Sequence, residues 1–155
     1  MFDNEIICRC GKKGCLETEV SGSALHRILC EKVKNGQSSI LSKRILTGET
    51  SLTLEEIVDA TNKEDILCIE LVEEIGRKLG RYLAGLINLF NPELVVIGGT
   101  LALTEDYILQ PIKTAIRKYS LNLVSKDSAV VLSKLQAKAG VIGACLLSRS
   151  KLFEW

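Results

Sequence analysis

The fold turns on one stretch, Leu86-Ile87-Asn88-Leu89-Phe90-Asn91-Pro92-Glu93-Leu94-Val95-Val96-Ile97-Gly98-Gly99. Its first half ends a long apolar rhythm. Ile66, Ile69, Val72, Ile75, Leu79, Leu83, Leu86 and Leu89 recur at the spacing that lays a stripe along one helix face. This predicts a single helix from near Lys63 to Phe90. Asn91-Pro92 ends it, because the proline ring disfavours helical geometry in the residue before it. Leu94 to Ile97 is a continuous apolar run that reads as a buried strand, and Gly98-Gly99 as a tight turn. Gly76, Gly80 and Gly85 lie within the helix. Each lowers helix stability by up to about 1 kcal/mol relative to alanine, so close packing against a neighbouring element is expected to compensate.

Outward from that stretch, Ser21 or Ser23 offers an N-cap to a helix reaching Lys34, with Leu25, Ile28, Leu29 and Val33 on one stripe and Asn35-Gly36 closing it. Residues 37–52 are polar and read as loop. Thr53-Leu54-Glu55-Glu56 has the capping-box pattern and opens a short helix to about Ala60. After the glycine pair come a helix from about Tyr107 to Lys118, a strand near Ala129–Leu135 and a last helix from Ala139 to Phe153. Helices alternating with apolar strands define an α/β domain.

The 155 residues suit one domain, and 20 Lys+Arg against 19 Asp+Glu leave no global field to draw nucleic acid or an anionic membrane. No run approaches the roughly 18 apolar residues of a membrane span, and Met1-Phe2-Asp3-Asn4-Glu5 lacks a signal-peptide pattern. A cytoplasmic protein with no membrane partner is expected. With a single His, no Ser/His/Asp or Cys/His nucleophilic arrangement can be assembled, and no phosphate-cradling loop ends in Lys-Ser/Thr. No catalytic residue is assigned.

Three of the six cysteines crowd into Cys8-Arg9-Cys10-Gly11-Lys12-Lys13-Gly14-Cys15. Thiolates are soft ligands for zinc, and the two glycines permit the positive-φ turns that fold the segment back on itself. Cys8, Cys10 and Cys15 are therefore read as zinc ligands within a knuckle over residues 5–17; a reduced, redox-sensitive loop is the alternative. Cys30, Cys68 and Cys145 read as small buried hydrophobes. A structural zinc site needs a fourth ligand. His26 sits within the first long helix and reads as a partly buried helix residue, so the fourth ligand is expected upstream of Met1, or as water. Glu17, held by the metal loop, can accept hydrogen bonds from the paired hydroxyls of a polyol, or can simply be an acidic residue favoured at a helix start. Gly98-Gly99 can admit a nucleotide close to the backbone, or can be a plain turn.

Cys8-x-Cys10-Gly11-x-x-Gly14-Cys15-Leu16-Glu17 resembles the zinc-knuckle signature of the ROK family (repressors, open reading frames and sugar kinases). Leu86 to Glu93 followed by Val95 to Gly99, and Ala139-Gly140-Val141-Ile142-Gly143-Ala144, resemble its second and C-terminal blocks. The resemblance implies the actin-like sugar-kinase ATPase fold, with residues 1–155 as its C-terminal lobe. It implies zinc on Cys8, Cys10 and Cys15 with a His ahead of the chain as fourth ligand, Glu17 as a sugar contact, and Gly98 and Gly99 beside ATP/Mg only if the whole protein is a kinase.

The phosphate motif, the catalytic Asp and any winged helix that would contact DNA belong to segments outside this chain, which is expected to be a fragment. The functional expectation is the sugar-sensing, oligomerising lobe of a transcriptional regulator, since Thr18 to Ser23 and the tail from Leu146 to Trp155 look more like regulator members. The alternative is half of an ATP-dependent hexose or N-acetylhexosamine kinase. A homo-oligomer is expected in either case.

Overall fold

The computed structural model describes residues 5–48, 52–121 and 127–152. After the Cys-rich loop come α1 (Glu17–Val20), α2 (Gly22–Lys34), α3 (Ser42–Thr47), α4 (Leu54–Asn62), α5 (Ile66–Phe90), β1 (Leu94–Ile97), a 3-10 turn (Thr100–Thr104), α6 (Asp106–Tyr119), β2 (Ala129–Leu132), a second 3-10 turn (Gln136–Lys138) and α7 (Ala139–Leu152). β1 and β2 pair in parallel, with Leu94 opposite Ala129 and Ile97 opposite Leu132. Parallel strands need a crossover, and α6 supplies it. The class is α/β.

The local signals set several boundaries. The Ser21 hydroxyl accepts the Ala24 N–H and starts α2. Thr53 and Glu56 form the full capping box of α4, and Arg44 pairs with Glu56. Asn91 takes the left-handed conformation (φ 44°) and its N–H returns to the Ile87 carbonyl at 2.8 Å, so α5 stops where Asn-Pro requires.

α5 begins at Ile66, the first residue of the hydrophobic rhythm and later than the expected start near Lys63, because Asp65 caps it. The Asp65 carboxylate accepts the Cys68 N–H at 2.9 Å and, across the chain, the Ile40 N–H at 2.7 Å. One buried side chain thus fixes both the start of the longest helix and the segment leading into α3. Residues 42–47 are helical where polarity alone suggested loop.

α5 lies at the centre, and the expected stripe faces inward along its middle but not at its ends: Val72 and Ile75 are buried, and Leu79 and Leu83 pack against the core. Ile66, Leu86 and Leu89 are exposed, whereas Cys68, Leu71, Val72, Ile75, Gly76, Gly80, Ala84 and Ile87 are buried. Large apolar residues share the inward face with glycine and alanine. A Cβ at Gly80 would stand 2.5 Å from the Ile112 carbonyl oxygen and 2.8 Å from Ala115 Cβ; at Gly76 it would stand 3.0 Å from the Ile108 carbonyl oxygen. α6 therefore rests directly on the α5 backbone. Ile108, Ile112 and Ile116 close over Leu71, Val72, Ile75 and Ile87, while Leu25 and Leu29 of α2 and Ile57 of α4 complete the core.

β1 is not the buried strand expected. Val95, Ile97, Val130 and Leu132 face the core, but Leu94 and Val96 are each 54% exposed and Val131 is 40% exposed, so one sheet face is open. α7 buries none of its described side chains, and Cys145 on it is exposed. Cys68 is buried as expected; burial first, then the adjacent Asp65, pushes its thiol up to about 12, which makes it chemically inert at neutral pH.

Two outcomes follow from this packing. Gly80→Ala should destabilise the chain by about 1–3 kcal/mol through overpacking against α6. Gly85→Ala, where a Cβ meets nothing within 4 Å, should stabilise it by about 0.5–1 kcal/mol. Denaturant midpoints of the two variants test this contrast. For Asp65, burial alone would raise the pKa, but the N–H groups of Ile40 and Cys68 outweigh it and hold the carboxyl below its ordinary value. The stabilisation is then present above the unfolded pKa of about 3.9 and lost as pH falls through the lower folded value. Asp65→Asn should cost about 1–3 kcal/mol at neutral pH. The gap from the parent chain should narrow as unfolding is followed below about pH 4.

Candidate functional site

The Cys-rich segment folds as a tight hairpin. Ile7 bridges Lys13, the Cys8 N–H donates to the Lys12 carbonyl at 2.8 Å, and the Gly11 N–H returns to the Cys8 carbonyl at 2.9 Å. Gly11 and Gly14 take φ of 83° and 70°, which a side chain would resist. Lys13 pairs with Glu5 across the hairpin.

These turns bring the sulfurs of Cys8, Cys10 and Cys15 within 4.8 Å of one another, with Cys10 Sγ 3.5 Å from Cys15 Sγ. Zinc–sulfur bonds of about 2.3 Å at tetrahedral angles separate ligand sulfurs by about 3.8 Å, so the three residues fit a zinc ion. His26 is not among them; its ring faces Cys30, one turn along α2, at 4.0 Å.

The electrostatics of the three thiols are already uneven. The Lys12 backbone N–H, followed by the Cys15 and Cys8 thiols, lowers Cys10, while the hydrogen bond to Cys10 is the chief cause raising Cys15 to about 11. Cys10 is thus the more acidic of the two, and either thiol can donate across their 3.5 Å contact. A soft cation bound here would displace the thiol protons.

The chain leaves the hairpin directly into α1. The Thr18 hydroxyl donates to the Cys15 carbonyl at 2.7 Å, and Arg27 of α2 reaches back to the Thr18 carbonyl at 3.0 Å. A cleft of about 170 Å³ opens between hairpin and α2, lined by Cys8, Arg9, Glu17, Thr18, Ser23 and Arg27 among others. Glu17 is its one carboxylate. The structure thus brings Cys8, Cys10, Cys15 and Glu17 together. Arg9, Ser23 and Arg27 escaped the sequence reading. Arg27 carried only one local signal, its spacing to the Glu31 it pairs with at 3.4 Å.

Gly98 and Gly99 stand elsewhere, at the carboxyl end of β1. Gly99 has φ 86° and leads into the Thr100–Thr104 turn, and a Cβ there would meet nothing within 4 Å. The backbone is open to close approach at the strand end, where α/β sheets commonly receive ligands. Neither glycine belongs to the Glu17 cleft.

The ROK family model matches residues 1–151. The chain belongs to the ROK family. Among ROK relatives, it is 35% identical over 136 residues to a glucokinase of Halalkalibacterium halodurans, covering 88% of this chain and 41% of that protein. It is 32% identical over 145 residues to the DNA-binding transcriptional dual regulator NagC of Escherichia coli, covering 94% and 34%. A solved ROK family transcriptional regulator, a homologue of the E. coli Mlc protein, superposes with a TM-score of 0.81 at 30% identity over 97% of this chain and 37% of the other. The fold is thereby that of ROK regulators and sugar kinases, the actin-like ATPase class. The chain spans less than half the length of these relatives. No helix among the described residues is long and apolar enough to cross a membrane.

Cys10→Ser should abolish equimolar zinc binding and loosen residues 5–20, because a three-thiolate site depends on each sulfur. Metal analysis of the purified variant decides the matter: zinc content equal to that of the parent chain would exclude the knuckle.

Proposed function

We propose that this chain is the C-terminal lobe of a ROK transcriptional regulator, sensing a sugar and contributing to oligomerisation, and that it is not catalytic by itself. The observation that carries this reading is the placement of Glu17. It follows the Cys hairpin without a break, and it is the one carboxylate in a cleft otherwise lined by cations, hydroxyls and apolar groups. A carboxylate fixed in this way accepts hydrogen bonds from adjacent sugar hydroxyls, and Arg9, Arg27 and Ser23 add donors around it. Zinc on Cys8, Cys10 and Cys15, with a fourth ligand from a preceding segment, would hold the hairpin rigid. Phosphoryl transfer needs a base near the attacking hydroxyl and a clamp for the transferred phosphate. Neither is supplied by the cleft's own residues.

Two further features support a lobe that works against another segment. The outer face of β1 and β2 and the apolar side chains Val141, Leu146 and Leu147 of α7 are exposed, a surface of the kind that ordinarily meets a partner. The remainder of a two-lobed regulator would cover it, with sugar bound between lobes shifting the balance between DNA-competent and DNA-incompetent states. The second reading is half of an ATP-dependent hexose or N-acetylhexosamine kinase. The glucokinase relative and the open backbone at Gly98-Gly99 favour it, with ATP/Mg at that turn.

The test is made on the protein expressed with its upstream coding sequence. Glucose and N-acetylglucosamine are titrated while operator binding and ADP release are followed together. A regulator shows sugar-dependent loss of DNA binding with no ADP formed, and Glu17→Gln weakens the sugar response by roughly tenfold or more. Sugar-dependent ADP release without DNA binding would establish the kinase reading. A response unchanged in Glu17→Gln would remove Glu17 from the site.

A further inference from the structure

A second groove lies away from the Cys hairpin, between α5 and α6, and its character is opposite to that of the Glu17 cleft. We propose that this groove of about 340 Å³, lined by Arg77, Lys78, Arg81, Thr114, Lys118 and Tyr119, binds a small phosphorylated polyol of sugar-phosphate size. Four cations converge on it in a chain whose net charge is only +1, so the positive potential is local and built by the α5–α6 packing.

The cations are not equivalent. Arg77 pairs with Glu73 at 3.3 Å, and Lys78 pairs with Glu19 at 2.9 Å and Glu74 at 3.1 Å. Arg81 and Lys118 form no ion pair with any described carboxylate. Both instead lie over the Tyr119 ring, each 5.4 Å from its centroid. The ring attracts each cation, so Tyr119 keeps both positive charges at this end of the groove. A dianion held at this end would gain from both charges, neither of which is neutralised by a described carboxylate. A phosphomonoester suits the guanidinium of Arg81, which presents a planar fork of donors, and the ammonium of Lys118 beside it.

The neighbouring surface sets the rest of the ligand. Beyond Arg77 and Thr114, which both regions share, the groove continues into a stretch lined by Glu73, Asp106, Tyr107 and Gln110. Two carboxylates there would repel a polyanion running on from the basic end, which argues against a nucleic-acid strand. They would accept hydrogen bonds from hydroxyl groups, with the Gln110 amide already donating to Asp106 at 3.0 Å. The basic end takes the phosphate and the acidic end takes hydroxyls. The size matches the lower end of the roughly 300–1,000 Å³ typical of small-molecule sites.

The experiment is a calorimetric titration of the chain with inorganic phosphate, glucose 6-phosphate and a short single-stranded oligonucleotide. Glucose 6-phosphate is expected to bind more tightly than inorganic phosphate, and the oligonucleotide least. The paired change Arg81→Gln with Lys118→Gln should weaken both phosphate probes by roughly tenfold or more. Asp106→Asn should weaken glucose 6-phosphate alone. Arg81 and Lys118 are exposed, and Lys118→Glu by itself serves if the paired variant does not fold. The proposal is overturned if neither phosphate probe binds, if the Arg81 and Lys118 changes leave binding intact, or if the oligonucleotide binds best. Equal affinity for inorganic phosphate and glucose 6-phosphate would overturn the polyol assignment.

Discussion

The close approach of α6 to the backbone of α5 at Gly76 and Gly80 is the constraint on which the other packing rests. With carbonyl oxygens of α6 only 2.5–3.0 Å from where a Cβ would stand, these positions fix both the separation of the two helices and their rotation. That rotation determines which residues of α5 turn inward, where α2 and α4 dock, and how far β1 and β2 are covered. It also sets the spacing of Arg81 and Lys118 across the groove, so a surface property descends from two missing methyl groups in the core.

A second layer of order comes from side chains that bond across the sequence. Asp65 holds the Ile40 N–H while capping α5, and Asn88 accepts the Leu121 N–H at 2.9 Å just beyond α6. Lys78 joins α5 to α1 through Glu19, immediately after the Cys hairpin. The hairpin is thus closed locally by its glycines but oriented by a helix whose residues lie far along the chain. Its cleft depends on both.

The parts of the fold that were legible in the sequence are those decided within a few residues. The Thr53–Glu56 capping box, the Ser21 cap, the Asn91-Pro92 stop and the two positive-φ glycines of the hairpin each act through near neighbours. The convergence of Cys8, Cys10 and Cys15 was readable for the same reason. What was not legible depended on partners distant in sequence. The stripe on α5 held through Val72, Ile75, Leu79 and Leu83 but failed at Ile66, Leu86 and Leu89, and it did not show that Gly76 and Gly80, which contribute little to hydrophobic periodicity, mark where α6 comes closest. α3 was hidden because Asp65 and Glu56, outside it, help to secure it. Arg9 and Arg27 joined the cleft only once α2 had folded back beside the hairpin. The openness of β1 could not be read from an apolar run, which records tolerance of burial and not the presence of a cover.

The compactness of the hairpin also has a kinetic meaning. Its three thiols lie within one short loop near the start of the chain, and such loops close on a timescale of about 10–100 ns. β1 must wait for β2 at residues 129–132, and α5 for α6. During synthesis, the Cys-rich loop can therefore close before the residues of β1 and β2 have joined the chain. Among the described elements, the smallest unit of structure thus has its opportunity to form ahead of the sheet.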